Sequence, residues 1–181
     1  MTVTETKLKD CFVLEPQVFG DKRGYFLESY NAETFNKLTG LNVTFVQDNE
    51  SFSSRGVLRG LHYQLGEHAQ AKLVRVVKGE VLDVAVDIRI GSPTFGQHVA
   101  VKLTEENKKQ LFVPRGFAHG FVVLSETAIF SYKCDNFYNK ASEGGIIYND
   151  KTIDIDWKIN ESEMLISEKD IILPSLENAS L

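Results

Sequence analysis

Six consecutive residues, Arg59-Gly60-Leu61-His62-Tyr63-Gln64, bring together a guanidinium, a glycine, an imidazole, a phenol and an amide, with Leu61 the only plainly apolar member. A core strand has no need of that mixture; a small-molecule site, and a catalytic one, does. Imidazole titrates near pH 6.5, so His62 can serve as a neutral base at about pH 7. A structural histidine bonded to main chain is the other reading. Lys72 opens the apolar run Ala71-Lys72-Leu73-Val74-Arg75-Val76, where alternation sends Lys72 and Arg75 to opposite sides of a strand. An inward lysine needs an anion or a ligand, because an unpaired buried charge is costly, and an outward one needs neither. The sequence leaves both open. His119 lies between Pro114-Arg115-Gly116 and Gly120, backbone points that can aim a ring into a cavity or merely turn the chain. Tyr132 shares a strand face with Phe130 and Cys134, which suits a satisfied core tyrosine or a general acid.

Short extended segments must position these groups. Residues 11–14 read as a strand, 20–24 as a turn and 25–30 as a second extended segment. Residues 31–38 form a helix capped by Asn31 and stopped by Gly40, with Phe35 and Leu38 on one face. Residues 42–49 alternate toward a strand, 51–55 read as a polar loop, and 57–59 are extended again. The clearest strands are 72–77 and 80–90, joined by Lys78-Gly79-Glu80 as a tight hairpin turn. In the second, Leu82, Val84, Val86 and Ile88 make a packed face, and Asp83, Ala85, Asp87 and Arg89 a charged one. Gly91-Ser92-Pro93-Thr94 is a turn, residues 98–103 are an alternating strand, 110–113 lead into the His119 segment, and 122–124 with 127–134 form another hairpin-like unit. The tail holds short extended pieces at 154–159 and 164–167, then a turn or short helix over 168–176. Many short strands with Gly and Pro turns indicate an all-β antiparallel sandwich or barrel.

Composition narrows the classes. The 181 residues, 43% hydrophobic and 25% charged, fit one domain over 1–181 of a soluble globular protein. A net charge of −5 does not mark a nucleic-acid binder. No apolar run approaches a membrane span, and the opening MTVTETKLKD has no apolar signal core, so a cytoplasmic location is expected. Cys11 and Cys134 have no metal-binding or framework spacing and read as buried thiols. Nucleophile-elbow, P-loop and dinucleotide fingerprints are missing. His62 and His119 offer two imidazoles, but Gln64 stands where a second nearby imidazole would make a metal cluster convincing.

Several segments, in order and spacing, carry a resemblance: Phe19-Gly20-Asp21-Lys22-Arg23-Gly24-Tyr25-Phe26-Leu27-Glu28, Gln47-Asp48-Asn49-Glu50-Ser51, the 59–64 island, Ala71 to Val76, Asp83 to Arg89, the His119 turn, Tyr132-Lys133-Cys134, Glu143-Gly144-Gly145-Ile146, Asn149-Asp150 and Ser167-Glu168-Lys169-Asp170. Through almost its whole length the chain resembles the dTDP-4-dehydrorhamnose 3,5-epimerases of the cupin superfamily. The resemblance implies a cupin jelly-roll barrel with a few short peripheral helices. It also implies no metal and no cofactor, and a homodimer whose N-terminal segments are exchanged between subunits. The implied substrate is a dTDP-linked 4-keto-6-deoxyhexose, epimerised at C3 and C5. His62 is implied as the base, Asp170 as its orienting carboxylate, Lys72 as the stabiliser of the enolate and Tyr132 as the opposite-face acid. Substrate contacts are implied for Arg23, Phe26, Glu28, Gln47, Asn49, Arg59, His119, Tyr138, Glu143 and Lys169, with Asp83 supporting His119. Gln97-His98 and Tyr148 depart from the usual pattern at positions that bear on packing. A one-centre epimerase, a non-catalytic sugar-nucleotide binder and a metal-dependent cupin are the competing readings.

Overall fold

Alternation of apolar side chains turns most of the chain into short strands. The computed structural model describes residues 1–181 and contains β1 (Thr2–Glu5), β2 (Phe12–Glu15), β3 (Val18–Asp21), β4 (Gly24–Leu27), α1 (Ala32–Thr39), β5 (Gln47–Ser54), β6 (Val57–Gln64), β7 (Lys72–Lys78), β8 (Glu80–Asp87), β9 (His98–Thr104), β10 (Gln110–Val113), β11 (Phe117–Val123), β12 (Thr127–Cys134), β13 (Glu143–Gly145), β14 (Leu165–Ile166) and α2 (Glu168–Ile171). One sheet has the order β1-β2-β10-β7-β12-β5; the other runs β13-β6-β11-β8-β9, with β14 added parallel to β6. Their ladders are not joined, so the expected barrel is, in its hydrogen bonding, two facing sheets. β3 and β4 form a separate two-stranded ribbon.

Three apolar clusters follow from this layering. Val74, Val76, Leu111, Val113, Ala128 and Phe130 of the first sheet meet Val81, Ala85, Leu103, Phe117, Phe121 and Val123 of the second between the layers. The outer face of the second sheet is covered by the tail, where Ile146, Ile153, Trp157 and Leu176 pack on Leu82, Val84, Val86 and Val122. On the outer face of the first, Phe12, Leu73 and Phe112 are covered by Phe35 of α1. Asn31 caps α1 through its side chain, which accepts from Thr34 N–H at 3.0 Å, and Gly40 ends it at φ 73°. Phe35 is fully buried in the cluster with Phe12, Leu73 and Phe112, whereas Leu38 is exposed and outside it.

Three expectations are corrected. The Lys78-Gly79-Glu80 turn is no hairpin: β7 lies in the first sheet and β8 in the second, and β11 and β12 part in the same way. Gly79, at φ 81°, is packed where a Cβ would stand 2.1 Å from the Thr127 carbonyl oxygen. A tight-turn pattern reports the bend, not whether its arms share a sheet. Residues 51–55 are no loop, since β5 runs through Ser54, while 42–46 are irregular and pack Val43 and Phe45 beneath α1. β5 is an edge strand with an inward row of Gln47, Asn49, Ser51 and Ser53, and a polar inward row shows no hydrophobic alternation. The charged face of β8 is buried as fully as its apolar one: Asp83 and Asp87 are both inaccessible. Asp87 is saturated by Arg89, Ser92 and Thr94, which overcome its burial and hold it far below the carboxylate range.

Candidate active site

β6 presents Arg59 and His62 of the 59–64 island to the cavity between the sheets, while Leu61 and Tyr63 pack into the cluster on its outer face. Gly60, at φ 115°, makes this possible, because a Cβ there would meet the His119 carbonyl oxygen at 2.6 Å and Gly120 Cα at 2.7 Å. The two strands pass so closely that His62 and His119 are register partners on β6 and β11. Each imidazole has its own carboxylate. His62 Nε2 lies 2.8 Å from Asp170 Oδ1, and His119 Nε2 lies 2.9 Å from Asp83 Oδ1. Asp170 is delivered by the first turn of α2, which Ser167 caps by accepting from Asp170 N–H at 3.2 Å. Its second oxygen accepts from Gly60 N–H at 3.3 Å. Burial acts to raise Asp170, but the bonds from His62 and Gly60 prevail and hold it below the usual carboxylate range. With Nε2 occupied, Nδ1 is the nitrogen of His62 free to take a proton.

The facing wall belongs to the first sheet. Lys72 of β7 points inward and Arg75 outward, which resolves the choice the sequence left open. The exposed part of Lys72 lies inside a cavity of about 510 Å³ that also has Ser51, Arg59, His62, His119, Tyr132, Lys169 and Asp170 in its walls. No carboxylate pairs with Lys72, so burial lowers its pKa, an effect opposed by the nearby Cys134, Asp83 and Glu143. Its Nζ lies 6.0 Å from the centre of the Tyr132 ring. Burial raises the Tyr132 phenol above its ordinary value, opposed by Arg59. Phe130 stacks on Phe121 at 4.2 Å and on His119 at 6.2 Å, backing the cavity with aromatic surface.

A second cavity of about 300 Å³ shares His62, Lys72 and Tyr132 with the first and continues past Gln47, Asn49, Tyr138 and Glu143. Glu143 binds the Lys169 ammonium and accepts from Tyr138 Oη at 3.1 Å; these contacts outweigh its burial and keep it below the usual glutamate range. Gln47 donates to Asn49 Oδ1 at 3.0 Å, and Arg59 bonds Ser53 Oγ through two nitrogens at 3.2 Å. Gln64 accepts from Asn139 N–H at 2.8 Å, which anchors the segment carrying Tyr138. No three His, Cys, Asp or Glu side chains are grouped to hold a metal ion. Cys11 and Cys134 are buried free thiols.

Three expected contacts are not brought to this place. Arg23 and Phe26 lie on the β3–β4 ribbon beside Phe19 and Tyr25, away from His62, and Arg23 is paired with Asp21 at 2.6 Å. Glu28 follows the ribbon and accepts from Asn31 Nδ2 at 3.3 Å. Sequence reading missed Ser51 and Ser53, whose inward positions depend on recognising β5 as a strand. It also missed Ser167 as a cap, although Ser-x-x-Asp before an apolar run is a helix-start signature.

The dTDP-4-dehydrorhamnose 3,5-epimerase family model matches residues 5–178. The chain is 58% identical over 181 residues to the dTDP-4-dehydrorhamnose 3,5-epimerase of Salmonella typhimurium, covering 100% of this chain and 98% of that one. The crystal structure of the Elizabethkingia anophelis enzyme of the same name superposes with a TM-score of 0.95 at 61% identity, covering 98% of this chain and 97% of that one. A Legionella pneumophila dTDP-6-deoxy-D-glucose-3,5-epimerase, crystallised in complex with dTDP-4-keto-L-rhamnose, superposes with a TM-score of 0.94 at 49% identity, covering 98% and 93%.

Proposed function

The chain belongs to the dTDP-4-dehydrorhamnose 3,5-epimerase family and is an enzyme of that activity, and we propose that His62, Asp170, Lys72 and Tyr132 carry out the inversion. The substrate is dTDP-4-dehydro-6-deoxy-alpha-D-glucose and the product dTDP-4-dehydro-beta-L-rhamnose. The observation that carries this assignment of roles is His62 of one sheet, paired with Asp170 of α2, facing Lys72 and Tyr132 of the other sheet across one cavity.

The C4 ketone acidifies the protons at C3 and C5. His62 Nδ1 takes a proton, the C–H electron pair moves into the enolate, and Asp170 balances the imidazolium. Lys72 bonds O4 as negative charge gathers there. Tyr132 returns a proton to the opposite face, at least at C5, and its burial keeps the phenol protonated for that task. Removal and return of a proton balance without an oxidant, a metal or a cofactor. Arg59 binds phosphate oxygens, the role to which a guanidinium fork is suited. Gln47, Asn49, Glu143 and Lys169 hold the nucleotide, Tyr138 packs on thymine, and His119, set by Asp83, contacts the sugar.

The reading extends to assembly. The ribbon exposes Val18, Phe19, Tyr25 and Phe26, a concentration of apolar surface suited to burial against another chain. In a homodimer that exchanges this N-terminal segment, Arg23, Phe26 and Glu28 complete the partner's site. Residues 1–181 act as one domain of the cupin jelly-roll type, working in the cytoplasm; no helix is long and apolar enough to cross a membrane. Turnover in heavy water, followed by position-resolved NMR, tests the chemistry. Deuterium should enter at both C3 and C5, and His62→Ala should abolish entry while nucleotide binding persists. Label at one carbon alone would reduce the reaction to a single-centre epimerisation, and binding with no exchange would leave only a binding module.

A further inference from the structure

Among all buried side-chain nitrogens and oxygens, two have no hydrogen-bond partner: Ser51 Oγ and Asp83 Oδ2. Both belong to this site, since Ser51 lines the larger cavity and Asp83 holds His119, which lines it too. A buried hydroxyl without a partner costs free energy, and a site that keeps one is shaped for a ligand that satisfies it. Ser51 belongs to the inward polar row of β5, opposite Phe130 in register. Every other member of that row is engaged: Gln47 with Asn49, Asn49 also with Cys134 Sγ at 3.7 Å, and Ser53 with Arg59. Ser51 stands on the same sheet as Lys72 and Tyr132 and faces the wall that carries His62.

The two reacting carbons differ in a way that such a group can read. C3 bears a hydroxyl, whereas C5 bears a methyl group and the ring oxygen. Val57, Phe121, Phe130 and Leu165 supply apolar lining suited to the methyl. We propose that Ser51 is a substrate-positioning and specificity-determining residue whose Oγ bonds the C3 hydroxyl as C3 becomes planar, so that it serves the C3 inversion and not the C5 one. No covalent step is assigned to it: His62 still removes the proton, and Ser51 fixes the orientation of the carbon that receives one. This rests on the two-centre reaction proposed above.

The experiment compares wild type, Ser51→Ala and Ser51→Thr by position-resolved deuterium entry, with thermal unfolding alongside. Wild type should label both carbons. Ser51→Ala should lose C3 labelling at least tenfold relative to C5 while unfolding near the wild-type temperature, and Ser51→Thr, which keeps a hydroxyl, should recover most of the C3 rate. An unchanged C3-to-C5 ratio in Ser51→Ala, whether or not both rates fall together, overturns the proposal, as does a selective loss at C5. Wild type labelling one carbon alone would overturn the two-centre reading and this inference with it, a result distinct from failure of the variant alone.

Discussion

At the scale of single residues, the site is a set of polar groups left with less than full partnership. Asp87 shows the contrast: as buried as Asp83, it is saturated by its neighbours and has no part in the cavity. Lys72 is the most exposed to this logic, because its ammonium has no carboxylate and burial lowers its pKa. In the role proposed for it the ammonium form supports the enolate, so kcat should fall as pH rises through a value below the ordinary lysine pKa of about 10.4. Tyr132, raised by burial, keeps its proton beyond its ordinary value and does not set that limb. The same lowering means that the folded state disfavours the charge at neutral pH, so removing it relieves a cost. Lys72→Met should reduce kcat by about 10²–10³-fold and raise stability by about 1 kcal/mol, or about 2–4 °C in Tm at this chain length. A pH–rate profile and thermal unfolding check the two signs, and a variant both inactive and less stable would contradict this account. Much of this was legible in the sequence: the 59–64 island declares its chemistry by composition. The partner of His62 was not, since Asp170 lies 108 residues away and no local pattern pairs them; only the resemblance supplied it.

At the scale of elements, the close passage of β6 and β11 sets the histidines side by side. Gly60 and Gly120 face each other there, and a Cβ on Gly120 would stand 2.7 Å from the Arg59 carbonyl oxygen and 3.1 Å from Leu61 Cδ2. Backbone cannot yield as a side-chain tip can. Gly120→Ala should therefore destabilise by about 1–3 kcal/mol, a Tm loss of about 3–10 °C. By spreading the two strands it should also cost up to about 10²-fold in kcat. Gly20→Ala, whose Cβ would find nothing nearer than 3.8 Å, should leave Tm unchanged and serves as the control. Equal unfolding temperatures for both variants would remove the close-packing argument. The sequence placed Gly60 beside the chemistry-bearing residues but did not show which strand it approaches. It concealed β5, because an edge strand that lines a polar cavity has no apolar row, and it mistook two crossings between sheets for hairpins.

At the scale of the whole molecule, the cavity around His62 and the ribbon that carries Arg23 and Phe26 lie apart, and the proposed exchange would join them across two chains. Arg23 is 83% exposed in its side chain, engaged only with Asp21 two residues away, and the ribbon around it turns Phe26 and Tyr25 to the surface. The resemblance put Arg23 and Phe26 among the substrate contacts but gave no sign of distance from His62, since a motif records which residues occur and not which copy of the chain they serve. If each site takes His62 from one chain and Arg23 from the other, two damaged chains can make one whole site. Arg23→Ala and His62→Ala homodimers should each be impaired, the second almost inactive. Co-expressed or refolded together, they give heterodimers in which one site has lost both residues and the other has lost neither. With random pairing half the dimers are heterodimers, each with one intact site of two, so the mixture should recover about a quarter of wild-type activity at saturating substrate. Sites built within single chains would give only the average of the two parents. Measuring kcat of the purified heterodimer, with a distinct affinity tag on each chain, separates these results: half of the wild-type value means a shared site, and no gain over the parents means that the ribbon serves its own chain or none.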